Sequence, residues 1–324
     1  MIIILLLAIV ALSFVLIKAA DVTLAAINKM SSKLQVGGFA VSAIVLTMGT
    51  SFPELSIGVL SALQRAPEVL LGVVIGSNIA NISLVAGIGA VSAGSAQIRG
   101  GLARKNFVVS LITGLVPIVL VADGALSRSD GVVLLGMYLV YAFNIFGKEL
   151  VKVGRSRGRE VLLVRYLRVI NHAIRTTKSA WARLALGVGL LIVSADLLVR
   201  VAKVFGESLG IPTFVVGLII LAVGTSLPEM AFAVRSLRNH ESGVFFGNIL
   251  GSVITNSTFV VGVTALISPI SVPDFEPFLI ASFFFITTAF LFWYFSRTKH
   301  GIVWWEALLL VTAYLVFALV EFLK

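Results

Sequence analysis

The sequence predicts an all-α polytopic membrane protein: ten transmembrane helices as two inverted-topology repeats of five. Three observations lead there. Of 324 residues, 59% are hydrophobic and 12% charged, against about 45–50% and about 25% in soluble proteins. Apolar runs near the roughly 20 residues that a spanning helix needs recur from end to end. Finally, the chain resembles itself when it is shifted by 175 residues.

The runs lie at about 1–18, 37–60, 69–93, 106–122, 131–147, 184–204, 211–234, 244–268, 277–296 and 302–320. The first has no basic residues ahead of it and only "KAAD" as a cleavage site, so it reads as a span rather than a signal peptide. With the N-terminus outside, the inner segments carry 20 Lys and Arg and the outer segments 5. The positive-inside bias therefore expects both termini outside and the 148–183 connection cytoplasmic, in the cell membrane. That connection holds ten of the basic residues. Its stretch 160–175 fits either a helix lying on the inner leaflet or a charged linker that fixes topology. The net charge of +10 thus reports topology and contact with anionic lipid in the bilayer, not nucleic acid. The absence of cysteine excludes disulfides and thiolate metal sites.

The repeat sets the architecture. Shifted by 175, Asp21 falls on Asp196, "GTSFPE" (49–54) on "GTSLPE" (224–229), and Gly72, Gly76, Ser77 and Asn81 on Gly247, Gly251, Ser252 and Asn256. Between 21 and 90, 22 of 70 positions match without a gap. The chain divides into a first repeat (1–147), the basic loop (148–183) and a second repeat (184–324). Five spans per repeat is odd, so the second repeat is inverted, the plan of transporters that bind substrate near the midplane. The matches gather on polar residues in mid-span, which packing does not require.

Glu54 and Glu229 sit inside apolar runs, so they face a cavity or a partner; with no Lys or Arg in mid-span beside them, protonation or a bound cation is left to neutralise them. Thr47, Thr50, Ser51 and Glu54 are spaced i, i+3, i+4, i+7 and share one helical face; Ala222, Thr225, Ser226 and Glu229 repeat the spacing. Pro53 and Pro228 lack an N–H and clash with the carbonyl four residues back, at Gly49 and Gly224, so each helix is expected to break there and loosen carbonyls. Ser77 with Asn81, and Ser252 with Asn256, add side-chain oxygens from neighbouring spans. An all-oxygen set with two carboxylates suits a hard cation, and Ca²⁺ more than Mg²⁺. Gly72/Gly76 and Gly247/Gly251 read as close helix contacts. Asp21 and Asp196 read as caps or ion pairs, the three histidines as loop residues, and the Phe-rich run at 283–295 as lipid-facing surface. No nucleophile motif or phosphate cradle supports an enzyme.

At these motifs the chain resembles the cation/calcium exchanger superfamily, in particular the prokaryotic sodium/calcium exchanger type. The resemblance runs over nearly the whole length and is carried by "GTSFPE" and "GTSLPE", each followed by "GxxxGSxxxN". It implies an antiporter exchanging Ca²⁺ for Na⁺ by alternating access, with no cofactor and no protein partner. Ca²⁺ would be held by Glu54, Glu229 and the carbonyls of Thr50 and Thr225. Na⁺ would use both glutamates, Ser51, Ser77, Ser226, Ser252 and the carbonyls of Thr47 and Ala222. Asn81 and Asn256 would line the centre, and the first and sixth helices would slide over a fixed core. Asn256 stands where such exchangers commonly carry Asp, which leaves two formal charges at the centre rather than three. That implies either fewer Na⁺ per Ca²⁺ or coupling to H⁺. A passive cation channel is the reading from another class. Thr47, and Val73 where Asn is usual, are lesser departures.

Overall fold

The computed structural model describes residues 2–33, 50–97, 101–154, 178–272, 275–297 and 301–322. Nearly all of them are helical, as expected when every backbone N–H and C=O must be satisfied without water. Among these residues the longer helices are α1 (Ile2–Lys33), α2 (Phe52–Leu63), α3 (Glu68–Ala93), α4 (Gly101–Leu120), α5 (Arg128–Gly154), α6 (Lys178–Leu209), α7 (Thr213–Arg238), α8 (Ser242–Ile267), α9 (Phe275–Arg297) and α10 (Trp304–Phe322). Among the described residues, seven helical stretches are long and apolar enough to cross a bilayer. Helix α3 is almost wholly enclosed by protein, whereas α1, α6 and α10 turn much of their apolar surface outward.

Helices α1 and α6 overrun the expected spans by more than a turn, and α5 and α6 absorb both ends of the basic connection. The 160–175 stretch, His172 and His300 lie outside the described residues; His240 sits in the turn after α7 with a left-handed backbone, φ 60°.

Two apolar cores form. The larger gathers side chains of α3, α4, α7, α8, α9 and α10, including Phe245, Phe246, Phe285 and Phe292. The smaller joins α1 and α6, through Leu16, Ala20, Leu191, Ala195, Leu198 and Ala202, to Ile57 of α2, Val69 of α3 and Val216 of α7. The Phe-rich run of α9 is thus only half lipid-facing. Phe283 and Phe290 point outward, but Phe285, Phe292 and Phe295 are buried, because one flank of the helix closes the larger core.

Small strands stitch distant loops. β1 (Ser95–Gln97) pairs antiparallel with β4 (Gly301–Val303), and β2 (Ala125–Leu126) with β3 (Ile270–Ser271). Adding 175 to β1 reaches β3, and adding it to β2 reaches β4, so the two ladders are images of each other under the sequence shift.

The glycine pair in α3 makes the close approach its spacing suggests. A Cβ on Gly72 would lie 2.1 Å from the Phe214 carbonyl oxygen, and one on Gly76 would lie 1.9 Å from that of Leu218. Gly217 returns the contact, since its Cβ would meet the Val69 oxygen at 2.4 Å. Backbone therefore lies directly on backbone where α3 crosses α7. No described residue approaches Gly247 in this way.

Candidate cation site

Each site helix departs from regular geometry beside its polar residues. Ser51 caps α2 with φ −88° and ψ 6°, and Pro53 occupies the first turn, where its missing N–H costs nothing. Glu54 follows in that turn, and the Leu55 N–H donates to the Ser51 carbonyl at 3.0 Å. The interruption expected from Pro53 is therefore present. The matching one at Pro228 is not: α7 runs as unbroken α-helix from Ala222 to Arg238. Its irregularity lies one turn earlier, as π-helix over Val216–Leu221. A proline removes a single N–H, and a wider turn just upstream offers the slack a break would otherwise supply.

Helices α3 and α8 each contain a π-turn as well, at Asn81–Val85 and Thr255–Val260. These positions correspond under the 175-residue shift. In both, a hydroxyl takes the carbonyl four residues back: Ser83 donates to Ile79, and Thr258 donates to Ile254 at 2.5 Å. π-turns of this kind concentrate at functional sites.

The four helices bring the two motif sets together. The Thr50 and Ser252 hydroxyls lie 3.4 Å apart, and those of Ser77 and Thr225 lie 3.1 Å apart. Each contact is the repeat image of the other. The Thr225 hydroxyl also reaches Glu54, that of Thr50 reaches Glu229, and the two carboxylates are near enough to repel. Glu54 and Glu229 are each 1% exposed. The described ion pairs lie elsewhere: Arg200 Nε–Asp196 Oδ2 at 2.8 Å and Lys18 Nζ–Asp21 Oδ2 at 3.4 Å, the ion-pair reading of those aspartates.

Satisfaction of polar atoms is the informative quantity. Burying a polar atom without a partner is costly, and native proteins keep few such atoms. Here Ser51 Oγ, Ser226 Oγ, Glu54 Oε2, Glu229 Oε2, Asn81 Oδ1 and Asn256 Oδ1 are buried and have no hydrogen-bond partner among the described residues. They fall into three repeat-related pairs, all oxygen. Ser77 and Ser252 are fully buried within the same set. Ala222 is buried, and its carbonyl accepts from the Thr225 hydroxyl at 3.3 Å. Thr47 lies outside the described residues. Among those residues no group of three or more His, Cys, Asp or Glu assembles, so the formal charge of the site is that of its two glutamates.

Residues that sequence comparison missed also appear. Asn78 donates from Nδ2 to Ser257 Oγ at 2.7 Å, joining α3 to α8, and its Oδ1 has no partner among the described residues. Asn248 is buried with neither amide atom paired among the described residues. Both oppose a valine under the shift (Val253 and Val73), so a search for matched residues passes over them. An amide within an apolar run is the signal that could have found them.

Comparison with known proteins gives the family. The family model described as sodium/calcium exchanger protein matches residues 2–147 and 179–323. The inner membrane protein YrbG of Escherichia coli is similar, with 32% identity over 227 residues, covering 69% of this chain and 68% of that one. The sodium/calcium exchanger MaX1 of Methanosarcina acetivorans is 27% identical over 335 residues, 95% of each chain. A solved structure of the sodium-calcium exchanger NCX_Mj, soaked with Na⁺ and Sr²⁺, matches with a TM-score of 0.62 and 26% identity over 97% of both chains. With its helices apolar enough to span a bilayer and its matched region covering most of its length, the chain belongs to the sodium/calcium exchanger family of multi-pass membrane transporters.

Proposed function

We propose that the protein is a secondary active antiporter that moves Ca²⁺ against Na⁺ across the cell membrane, by alternating access at the site between α2, α3, α7 and α8. The observation that carries this reading is the set of six buried oxygens, paired by the repeat and unpartnered among the described residues. Two carboxylates balance one divalent cation, and neutral hydroxyl and amide oxygens complete a hard, flexible shell suited to Ca²⁺. Na⁺ competes for the same glutamates, which is what couples the two fluxes. The Thr50 and Thr225 carbonyls join the glutamates on Ca²⁺, while the Ser51, Ser77, Ser226 and Ser252 hydroxyls and the Thr47 and Ala222 carbonyls serve Na⁺.

The architecture proposed with it is ten spans in two inverted repeats, 1–147 and 184–324, with both termini outside and 148–183 cytoplasmic. The image-related ladders β1·β4 and β2·β3 and the image-related hydroxyl contacts support the repeat. The smaller core, in which α1 and α6 meet α2, α3 and α7 through apolar side chains, is the surface over which the two long helices would slide.

Asn256 favours a second reading on the same fold. With a neutral amide there, each extra cation at the centre goes uncompensated, so protons on the glutamates could replace part of the Na⁺ flux. The test is ⁴⁵Ca²⁺ uptake into proteoliposomes preloaded with Na⁺, K⁺ or choline, with and without a pH gradient. Uptake that requires internal Na⁺ is the expected result. Uptake driven by the pH gradient alone would replace Na⁺ with H⁺, and uptake indifferent to both would leave a passive channel.

A further inference from the structure

The central oxygens come in pairs, but Asn78 and Asn248 each oppose a valine, and only Asn78 of these two spends its amide N–H₂ on a neighbour, Ser257. Asn248 of α8 is 3% exposed, and neither Oδ1 nor Nδ2 has a hydrogen-bond partner among the described residues. Its equivalent in α3 is Val73, fully buried. An amide that packed for its shape alone would still need its two polar atoms satisfied.

Its position supplies the reason. Asn248, Ser252 and Asn256 follow one another at four-residue intervals, so they lie on one flank of α8, each about 6 Å further along the axis. Ser252 touches Thr50, and Asn256 belongs to the central set. Asn248 therefore stands one step out from the site, toward the Ser242 end of α8. On α3 the same step is closed: Val73 is apolar, and the flanking Gly72 and Gly76 lie against the backbone of Phe214 and Leu218. An amide oxygen is a hard, uncharged ligand that holds Na⁺ or Ca²⁺ loosely, while the amide N–H₂ can donate to water that the ion retains. A station on a transport path must bind well enough to admit an ion and weakly enough to release it.

We propose that Asn248 is a cation-binding station of its own, which takes the partly hydrated Na⁺ or Ca²⁺ between the Ser242 end of α8 and the paired glutamates and makes the two approaches to the centre unequal. This rests on the antiport reading. Under the proposed topology that end of α8 is cytoplasmic.

The test measures apparent Ca²⁺ affinity separately at each face, in right-side-out and inside-out membrane vesicles, for the full-length protein and for Asn248→Val, Asn248→Ser and Asn248→Asp. Asn248→Val makes the helices alike at this position. We expect it to weaken apparent Ca²⁺ affinity at least fivefold at the face served by the Ser242 end, with less than a twofold change at the other. Asn248→Asp should tighten affinity at that same face. Thermal unfolding without Ca²⁺ or Na⁺ should leave Asn248→Val as stable as the parent, since an unpaired amide has been removed. Unchanged affinity at both faces, or equal loss at both with lowered thermal stability, would overturn the station and leave a packing residue. Should Asn248→Val not fold, Asn248→Ser decides by the same criterion. A parent protein that exchanges no ion would remove the antiport reading and this one with it; where the parent exchanges normally, a failure of the variants to show the one-sided loss counts against Asn248 alone.

Discussion

Replacing Glu229 by Gln separates what the site does from what holds the fold. Glu229 and Glu54 are both 1% exposed, and each has an oxygen without a partner among the described residues. The substitution keeps shape and removes one of the two charges, so a bound Ca²⁺ would retain one uncompensated charge. At about 4 Å and an effective dielectric constant of about 20, the attraction between Ca²⁺ and one carboxylate is about 8 kcal/mol, twice that of a unit pair. Cheaper desolvation of the amide offsets part of this, and breaking a buried charge pair costs about 3–5 kcal/mol. Taking about 3 kcal/mol as the floor, apparent Ca²⁺ affinity should fall by about two orders of magnitude. Stability should move the other way, because the change relieves repulsion between two buried carboxylates. Titration of Ca²⁺ by calorimetry and ⁴⁵Ca²⁺ exchange would measure the first effect, and thermal unfolding in a chelator the second. Ca²⁺ affinity within threefold of the parent, with exchange intact, would refute the assignment of Glu229. Lost transport with a lower unfolding temperature would mean that the carboxylate serves the fold.

Ser77→Ala and Ser252→Ala should each raise the Na⁺ concentration needed for half-maximal exchange while changing Ca²⁺ affinity less than about threefold, judged on the factor-of-ten-per-1.4 kcal/mol scale; a Na⁺-dependence series on ⁴⁵Ca²⁺ exchange checks both. Gly76→Ala would place a Cβ 1.9 Å from the Leu218 oxygen, an overpacking that costs about 1–3 kcal/mol or more and should appear as a lower unfolding temperature in detergent. Gln64 donates from Nε2 to the Asp196 side chain at 2.7 Å and to its carbonyl at 3.1 Å, and Lys203 Nζ donates to the Gln64 carbonyl at 2.8 Å, tying the end of α2 to α6. Gln64→Ala should loosen that tie by about 1 kcal/mol per bond lost, read as faster amide hydrogen exchange after Leu63.

The site was legible in the sequence because membrane spans make polarity conspicuous. Glu54, Ser77, Asn81 and their images stand in apolar surroundings, and duplication marks them twice. All six are buried, and Ser77 and Ser252 meet Thr225 and Thr50 from the other half of the chain. Conformation was less legible. Pro228 has nearly the same local sequence as Pro53, yet one begins a helix and the other lies within one; the irregular geometry of α7 lies at Val216–Leu221, which carries no polar mark. The Phe-rich run was misjudged for a related reason: in a membrane protein lipid-facing and core-facing residues are equally apolar, so hydropathy does not tell Phe283 from Phe285. Asn78 and Asn248 were hidden by the repeat itself, which draws attention to what the halves share.

The ladders β1·β4 and β2·β3, the Thr50–Ser252, Ser77–Thr225 and Asn78–Ser257 contacts, and the glycine-tight crossing of α3 on α7 have one property in common. Every one joins a residue before 155 to a residue after 177. These contacts fasten the two stretches to each other directly. Two separately expressed pieces, cut within 155–177, should assemble into one working complex, whereas either piece alone would hold one unshielded glutamate and half of every contact around it. Co-purification of the pieces from a membrane, with the activity of the uncut chain, is the expected outcome.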